Sequence, residues 1–169
     1  GFNMGVDPVD YKQAEVDAND LQFAAQMGTT HVVLQSYANA GIVPGDERWE
    51  YDDLLQLRQR VEDAGLVLEA LENVPLKFYD QVMLGGPDRD RQIENMVYTV
   101  RNIARAGIPI FGYHWMPTLV GRTLLTTKIR AGAQVTAFDL EEASKRPLLM
   151  DRRYTEDEMW ENLEHWIKI

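Results

Sequence analysis

The chain has 169 residues, a mass of 19.4 kDa and a net charge of −10, which suits one domain with its own core. This acidity argues against nucleic acid and against anionic membranes as partners, because both attract basic proteins. Without cysteine, the sequence can form neither a disulfide nor a thiolate metal site. It contains no apolar run near the roughly 20 residues that span a bilayer. A cytoplasmic location is therefore expected.

Three successive segments share one pattern, in which an amphipathic helix ends at a glycine and an apolar strand follows. The segments are Asp20–Met27 with Gly28 and Thr30–Gln35, Tyr51–Ala64 with Gly65 and Leu66–Leu71, and Ile93–Ala104 with Gly107 and Ile108–Gly112. A short strand is expected around Gly1–Met4, and Thr155–Glu158 has the sequence of a capping box that begins a last helix.

Alternation of strands and helices predicts an α/β fold whose parallel sheet is built with right-handed crossovers. The apolar strands suggest burial on both faces of that sheet. Four such units make half of a (β/α)8 barrel, so we expect one incomplete barrel domain over residues 1–169 and a native chain that continues beyond Ile169. The segment 116–154 is too long for an ordinary loop after the fourth strand, and Gln134–Phe138 predicts a small hairpin within it.

Polar groups follow the third and fourth predicted strands, at the edge where parallel α/β proteins place their active sites. His114 follows the fourth strand and is the candidate catalytic residue, since an imidazole transfers protons near neutral pH. The alternative is a histidine packed under the loop, with its ring nitrogens bonded to backbone. Glu72 and Asn73 end the third strand and are candidate substrate ligands, or else the carboxylate caps the strand end and pairs with an arginine.

Two further residues are candidates for binding substrate. Arg122 offers a guanidinium for bidentate recognition of a carboxylate, and its alternative is an ordinary surface arginine. Trp115 offers an aromatic wall for a sugar, and its alternative is an anchor for the core or the loop. Asp88 is expected to cap the helix that follows it. His31 and His165 are expected to be structural and surface residues, respectively.

From Leu66 onward, a set of short motifs occurs in one order across about two-thirds of the chain. The motifs are Glu72–Pro75, Gly86–Arg91, Ile93–Asn95, Thr99–Ile103, Ala106–Ile108, Tyr113–Pro117, Arg122–Thr123 and Phe138–Asp139. As a set they resemble mannonate dehydratases, which are metal-dependent sugar-acid lyases with a barrel of the xylose-isomerase-like type. The resemblance implies that this chain supplies the N-terminal half, or about the first four βα units, of such a barrel.

The resemblance also implies an activity, a cofactor and partners. The reaction is the dehydration of D-mannonate to 2-keto-3-deoxy-D-gluconate, as a step of hexuronate catabolism. The cofactor is Mn²⁺, with ligands on later strands, so no residue of this chain is assigned as a metal ligand. A small-molecule sugar acid is the expected partner, and a homo-oligomer is the expected assembly.

Two departures from the family pattern keep other functions open. Tyr113–Pro117 reads Tyr-His-Trp-Met-Pro where the family usually has Tyr-Asn-Phe-Met-Pro. Around Arg122 and Thr123 the flanking tryptophan and aspartate of the family are absent. One alternative is therefore a sugar isomerase or epimerase of the same superfamily, and another is a non-catalytic half-barrel module.

Overall fold

A computed structural model describes residues 2–4, 17–36, 42–117, 122–148, 150 and 152–168. Six strands and six helices lie in these ranges. In chain order they are β1 (Phe2–Met4), α1 (Ala18–Gln26), β2 (His31–Gln35), α2 (Tyr51–Asp63), β3 (Val67–Glu72), α3 (Asp80–Leu84), α4 (Arg89–Arg105), β4 (Ile110–Gly112), β5 (Leu124–Lys128), β6 (Gln134–Ala137), α5 (Leu140–Ser144) and α6 (Glu156–Ile167). Two 3₁₀ turns, Leu76–Phe78 and Arg130–Gly132, complete the set.

The first four strands form one parallel sheet in the order β1-β2-β3-β4. Sequence order and spatial order coincide. Helix α2 connects β2 to β3, and α3 and α4 lie between β3 and β4. The parallel α/β sheet predicted from the alternating pattern is thus confirmed. All four carboxyl ends lie at one edge of the sheet, because the strands run in the same direction.

Glycine stops end the helices where the sequence pattern predicts them. Gly65 and Gly107 have positive φ values of 78° and 75°, which a residue without Cβ adopts at little cost. Gly107 has a second reason to lack a side chain. A Cβ at this position would lie 2.3 Å from Nη1 of Arg58, and that atom donates a hydrogen bond of 2.9 Å to the carbonyl of Ala106. The end of α4 is thereby fixed against α2.

One side of the sheet carries the hydrophobic core. Val32, Leu34, Leu68 and Leu71 of the strands are buried in one cluster with apolar residues of the helices. The other side is open within the described residues, as expected for four strands without the rest of a barrel. Val67 is 47% exposed and Ile110 is 49% exposed, since alternate side chains of a strand point to opposite faces and the helices cover one of them.

Buried amide side chains hold the helices together. Gln92 of α4 accepts hydrogen bonds from the backbone N–H groups of Gln81 (2.9 Å) and Val82 (3.2 Å), and its amide donates to the carbonyl of Lys77 (3.0 Å). The five-residue α3 thus has its N-terminus capped by another helix. In the same way, Asn162 of α6 donates to the carbonyl of Met83 (3.0 Å) and fixes α6 against α3.

Asp88 precedes α4 as expected, but its side chain makes no capping hydrogen bond, so the predicted cap is wrong. Its φ of −94° and ψ of 8° differ from the extended conformation that a capping residue normally adopts. The carboxylate instead lies 3.5 Å from Nη2 of Arg91. The capping box predicted at the start of α6 is confirmed, with Thr155 and Glu158 bonded reciprocally.

Within the segment 116–154, β5 and β6 pair antiparallel, which confirms the predicted hairpin. The short α5 follows and was not predicted. The hairpin belongs to no other sheet, and its apolar side chains are largely exposed. None of the helices described is both long and apolar enough to cross a membrane.

Candidate functional site

The candidate site lies at the edge formed by the carboxyl ends of β2, β3 and β4. Glu72 is the last residue of β3, and it stands between Gln35 of β2 and Gly112 of β4 in the strand register. Pairing continues just past the strands. The N–H of Ser36 donates to the carbonyl of Glu72 at 3.0 Å, and the N–H of Asn73 donates to the carbonyl of Gly112 at 2.8 Å. Three strand ends are therefore held in fixed register beneath the site.

Asn73 turns the chain away from the sheet. Its φ of 62° lies in the left-handed region, which asparagine tolerates better than most other residues with a side chain. The residue is 7% exposed, and Val74 and Pro75 beyond it are also buried. Unusual backbone of this kind concentrates at functional sites, where the surrounding structure holds it in place. Glu72 and Asn73 thus mark a rigid corner rather than a loose strand end.

His114 is partly buried two residues beyond β4. Both ring nitrogens are shielded from solvent, and neither makes a hydrogen bond within the part of the chain that the structure describes. The predicted alternative, in which backbone groups satisfy the ring, is therefore wrong for these residues. Burial lowers the pKa of His114 below its ordinary value of 6.5, and the negative charge of nearby Glu72 opposes part of that shift. At neutral pH the imidazole is consequently uncharged and has a free acceptor nitrogen.

Aromatic side chains surround the His114 segment. The hydroxyl of Tyr79 donates a hydrogen bond of 3.0 Å to the backbone carbonyl of His114, and the two rings meet edge to face at 6.2 Å. Burial strongly raises the pKa of the Tyr79 phenol, so the phenol remains a donor. Trp166 of α6 stacks on Tyr79 at 5.2 Å and contacts Tyr113 at 5.4 Å. The last helix therefore contacts, through Trp166, aromatic residues that adjoin His114.

Sequence reasoning missed the positions of Tyr79 and Trp166 at the site. The sequence indicates that Trp166 is buried, since it belongs to the apolar stripe of α6, but its partners are far away in the chain. No sequence pattern indicates the position of Tyr79, because it lies in a short irregular segment between the 3₁₀ turn and α3. Trp115 lies beside this cluster, 6.1 Å from Trp166, and its indole N–H is buried without a hydrogen-bond partner among the described residues.

Arg122 lies apart from the other candidates. It precedes β5, it is exposed, and its Nε donates to the hydroxyl of Thr136 in β6 at 3.0 Å. No contact in the described ranges joins it to Glu72, Asn73 or His114. The other two histidines make exposed pairs, with His31 Nε2 3.6 Å from Glu69 and His165 Nε2 3.3 Å from Asp90. The structure thus brings together Glu72, Asn73, His114 and Trp115 but leaves Arg122 in the hairpin.

The described residues do not provide a complete metal site. No three histidine, aspartate or glutamate side chains converge in the part of the chain that the structure covers. Glu72 and His114 offer two donors at most, whereas divalent cations in enzymes take three or more protein ligands or keep several waters. These residues alone therefore do not fit a bound Mn²⁺ ion.

A model of the D-mannonate dehydratase (UxuA) family matches residues 11–166. Mannonate dehydratases of Thermotoga maritima and Thermotoga petrophila are each 38% identical to this chain over 98 residues, which is 57% of this chain and 27% of each relative. The solved structure of mannonate dehydratase from Streptococcus suis serotype 2 superposes with a TM-score of 0.75 at 27% identity.

That superposition covers 99% of this chain and 47% of the Streptococcus suis chain. The present sequence therefore spans only part of the length of the relatives it matches. The family match, however, extends over nearly all of it and includes the ends of β3 and β4. The chain belongs to the D-mannonate dehydratase family.

Proposed function

We propose that the full-length protein containing this sequence is a hydro-lyase that dehydrates D-mannonate to 2-keto-3-deoxy-D-gluconate. The family membership supports the reaction class. The single observation that carries the role of this part of the chain is the His114 imidazole, whose two nitrogens are buried and unpaired among the described residues. A buried polar group without a partner is costly, so its retention at a strand end favours a ligand that completes its hydrogen bonds.

His114 suits the role of the proton-transfer residue. Dehydration removes the proton at C2, next to the substrate carboxylate, and expels the hydroxyl at C3 with the help of an acid. A neutral imidazole with a free nitrogen can accept the C2 proton. Glu72 then stabilises the imidazolium that forms, because its negative charge already raises the pKa of His114. In this proposal Glu72 acts as the electrostatic partner of His114 as well as a substrate ligand.

Substrate positioning is assigned to Asn73 and Trp115, with Arg122 as a more distant candidate. Asn73 is buried and directly follows Glu72 in the chain, and Trp115 offers to a polyol both an aromatic face and an N–H that has no partner among the described residues. Arg122 already donates to Thr136, so its contact with a substrate carboxylate would require the hairpin and the strand ends to come together.

Mn²⁺ remains the proposed cofactor, with its ligands contributed from outside the residues described. Such an ion would supply stabilisation of the negative charge that develops when the proton next to a carboxylate is removed. Its requirement is tested with the full-length protein, by removing metal with EDTA and restoring Mn²⁺. Retention of full activity after complete metal removal would contradict this part of the proposal.

We also propose that the sheet is half of a (β/α)8 barrel of the xylose-isomerase-like type, within a single domain that includes residues 116–154 as an insertion. The sequential order β1-β2-β3-β4 and the uncovered face bearing Val67 and Ile110 support this architecture. So does the similarity to a solved chain of about twice the matched length. In the closed barrel, the open face would become the barrel interior.

A cytoplasmic location stays a prediction.

The decisive experiment follows D-mannonate turnover by mass spectrometry. A product lighter than the substrate by one water supports the dehydratase, whereas a product of unchanged mass supports the isomerase or epimerase alternative. His114→Gln should lower kcat by about 100-fold or more, as expected for loss of a general acid–base group. His165→Gln is the matched control and should leave kcat unchanged. Equal activity of both variants would remove His114 from the mechanism.

A further inference from the structure

The segment Arg122–Phe138, which we call the hairpin arm, is held at its base by Arg146, which donates hydrogen bonds to the carbonyls of Arg122 (3.5 Å) and Thr123 (2.7 Å). Its strands β5 and β6 make extensive contact with each other and with no other helix or strand described. Leu125 is 72% exposed, Phe138 57% and Leu124 52%. Soluble proteins rarely leave several large apolar side chains together on one small element unless that element binds something.

The hairpin arm also differs from the rest of the chain in charge. It contains Arg122, Lys128 and Arg130 and has no aspartate or glutamate, although the whole chain has a net charge of −10. Lys128 and Arg130 are exposed, and neither pairs with a carboxylate in the described ranges. The arm is therefore both apolar and cationic, which predicts a partner surface that is apolar and acidic.

One surface of this chain has that chemistry. The outward side of α6, which we call the acidic face, consists of Glu156, Asp157, Trp160, Glu161 and Glu164. Their spacing places them within less than half of the helix circumference, and all are exposed. Trp160 is 58% exposed at the centre of this face. Asp157 and Glu161 form no ion pair among the described residues, so their charges are free to meet cations.

We propose that the hairpin arm of one copy docks on the acidic face of α6 of a second copy, and that the contact is reciprocal in a two-fold dimer. Within one chain the arm and α6 are not in extensive contact. Direct pairing of two arms would bring Lys128 and Arg130 of one copy near the cations of the other arm. Docking of the arm on the acidic face avoids this repulsion and covers the exposed leucines together with Trp160. The inference does not depend on the proposed catalytic function.

Each charge pair at such an exposed contact contributes little by itself, and salt screens it. The apolar side chains would supply most of the affinity, while the charges would set the orientation and the choice of partner. Reversing the charges on one surface should therefore weaken association, because like charges then face each other, and reversing them on both surfaces in separate chains should restore it.

The test uses full-length protein and two double variants. Variant A carries Lys128→Glu and Arg130→Glu on the arm, and variant B carries Asp157→Lys and Glu161→Lys on the acidic face. The control carries Arg60→Glu and Arg101→Glu, which reverse two exposed cations on α2 and α4. Light scattering with size-exclusion chromatography measures the association of each protein alone and of A mixed with B. Thermal melting by circular dichroism confirms that every variant is folded.

We expect wild type and control to dimerise, and A and B alone to dissociate with a dimer Kd raised about tenfold or more. The mixture of A and B should form a heterodimer, because both of its contacts then join opposite charges. Monomeric wild-type protein would overturn the proposal, as would dimers of A and B as tight as wild type. Dissociation of A and B without recovery in the mixture would also overturn it, since the arm and the face would then have other partners.

Discussion

The parallel sheet with its helices and the hairpin arm are two regions of one chain with opposite surfaces. In the first region, Leu34, Leu54 and Leu71 are fully buried in one cluster. In the second, every described large apolar side chain of β5 and β6 is exposed by at least 40%. The first region also has a buried amide, that of Gln92, whose oxygen and nitrogen both form hydrogen bonds, whereas the polar contacts of the second are exposed or only partly buried.

This difference shows that the sequence contains one region that is stabilised by its own core and one that is not. Helices that end in glycine and precede apolar strands specify a region stabilised by its own burial. The arm has strand-forming residues and a turn, but no helix or second sheet described here covers them. A two-stranded sheet needs such a second layer to be stable by itself. Its conformation must therefore depend more on what it contacts than on its own core.

The largest difference should appear when leucines of the two regions are truncated. Leu71→Ala in β3 should cost about 2–5 kcal/mol of unfolding free energy, since it opens a cavity in the core. Leu125→Ala in the arm should change it by less than about 0.5 kcal/mol, because the side chain is already exposed. Urea denaturation at protein concentrations below the Kd of the proposed dimer measures the free energy of unfolding of both variants. Similar costs for the two variants would contradict the distinction between the regions.

Glutamine truncation sharpens the comparison for polar groups. Gln92→Ala should cost about 2 kcal/mol, because it removes the acceptor of the Val82 N–H and leaves buried backbone groups without partners. Gln134→Ala, at an exposed position of β6, is the matched control and should be nearly neutral. Hydrogen exchange should also show faster opening of α3 in the Gln92 variant alone. Unchanged protection of α3 would mean that Gln92 does not hold it.

Threonine variants should give a smaller effect. Thr155→Ala removes the side chain that accepts from the N–H of Glu158 at 3.2 Å, and it should destabilise α6 by about 1 kcal/mol. Thr126→Ala, on the exposed surface of β5, should have no measurable effect. Because α6 carries Trp166, the Thr155 variant should also weaken the packing of the aromatic residues that adjoin His114. Tryptophan fluorescence during urea titration reports both changes, and equal midpoints for the two variants would argue against the cap.

The smallest expected effect is the pH dependence due to His114. Its folded-state pKa lies below 6.5, so the unfolded chain binds more protons between the two values. Stability should therefore rise with pH through this window and decrease as pH falls below 6.5. Removing the Glu72 charge in Glu72→Gln should lower the pKa of His114 further. NMR titration of the His114 imidazole in the wild type and in the variant measures this shift. A pKa of His114 that rises in Glu72→Gln would contradict the assigned interaction.

Much of the fold was predictable because its signals are local. Gly65 and Gly107 end their helices, Thr155 begins α6, and the apolar segments between them become the strands. The short α3 was not predictable, since its N-terminus is capped by Gln92 from α4 rather than by a neighbour in sequence. Exposure of Val67 and Ile110 agrees with the expected half-barrel, since four strands alone leave the inner face of the sheet uncovered.

The candidate site divides in a similar way. Glu72, Asn73, His114 and Trp115 were predictable as a group, since they end adjacent strands and parallel strands share one edge. The roles of Tyr79 and Trp166 were not, because each depends on tertiary contacts that no spacing in the sequence encodes. Arg122 was grouped with the site by its chemistry, but the hairpin that holds it places it among different neighbours.

The ring nitrogens of His114, which have no hydrogen-bond partner among the described residues, also offer a way to find ligands without measuring turnover. A compound that completes their hydrogen bonds binds only the folded chain, so it must raise the melting temperature as its concentration increases. A panel of sugar acids, polyols and aldoses, ranked by the thermal shift of wild type minus that of His114→Gln, would therefore report which molecules reach the imidazole. The stability of the protein thus becomes an indicator of substrate chemistry.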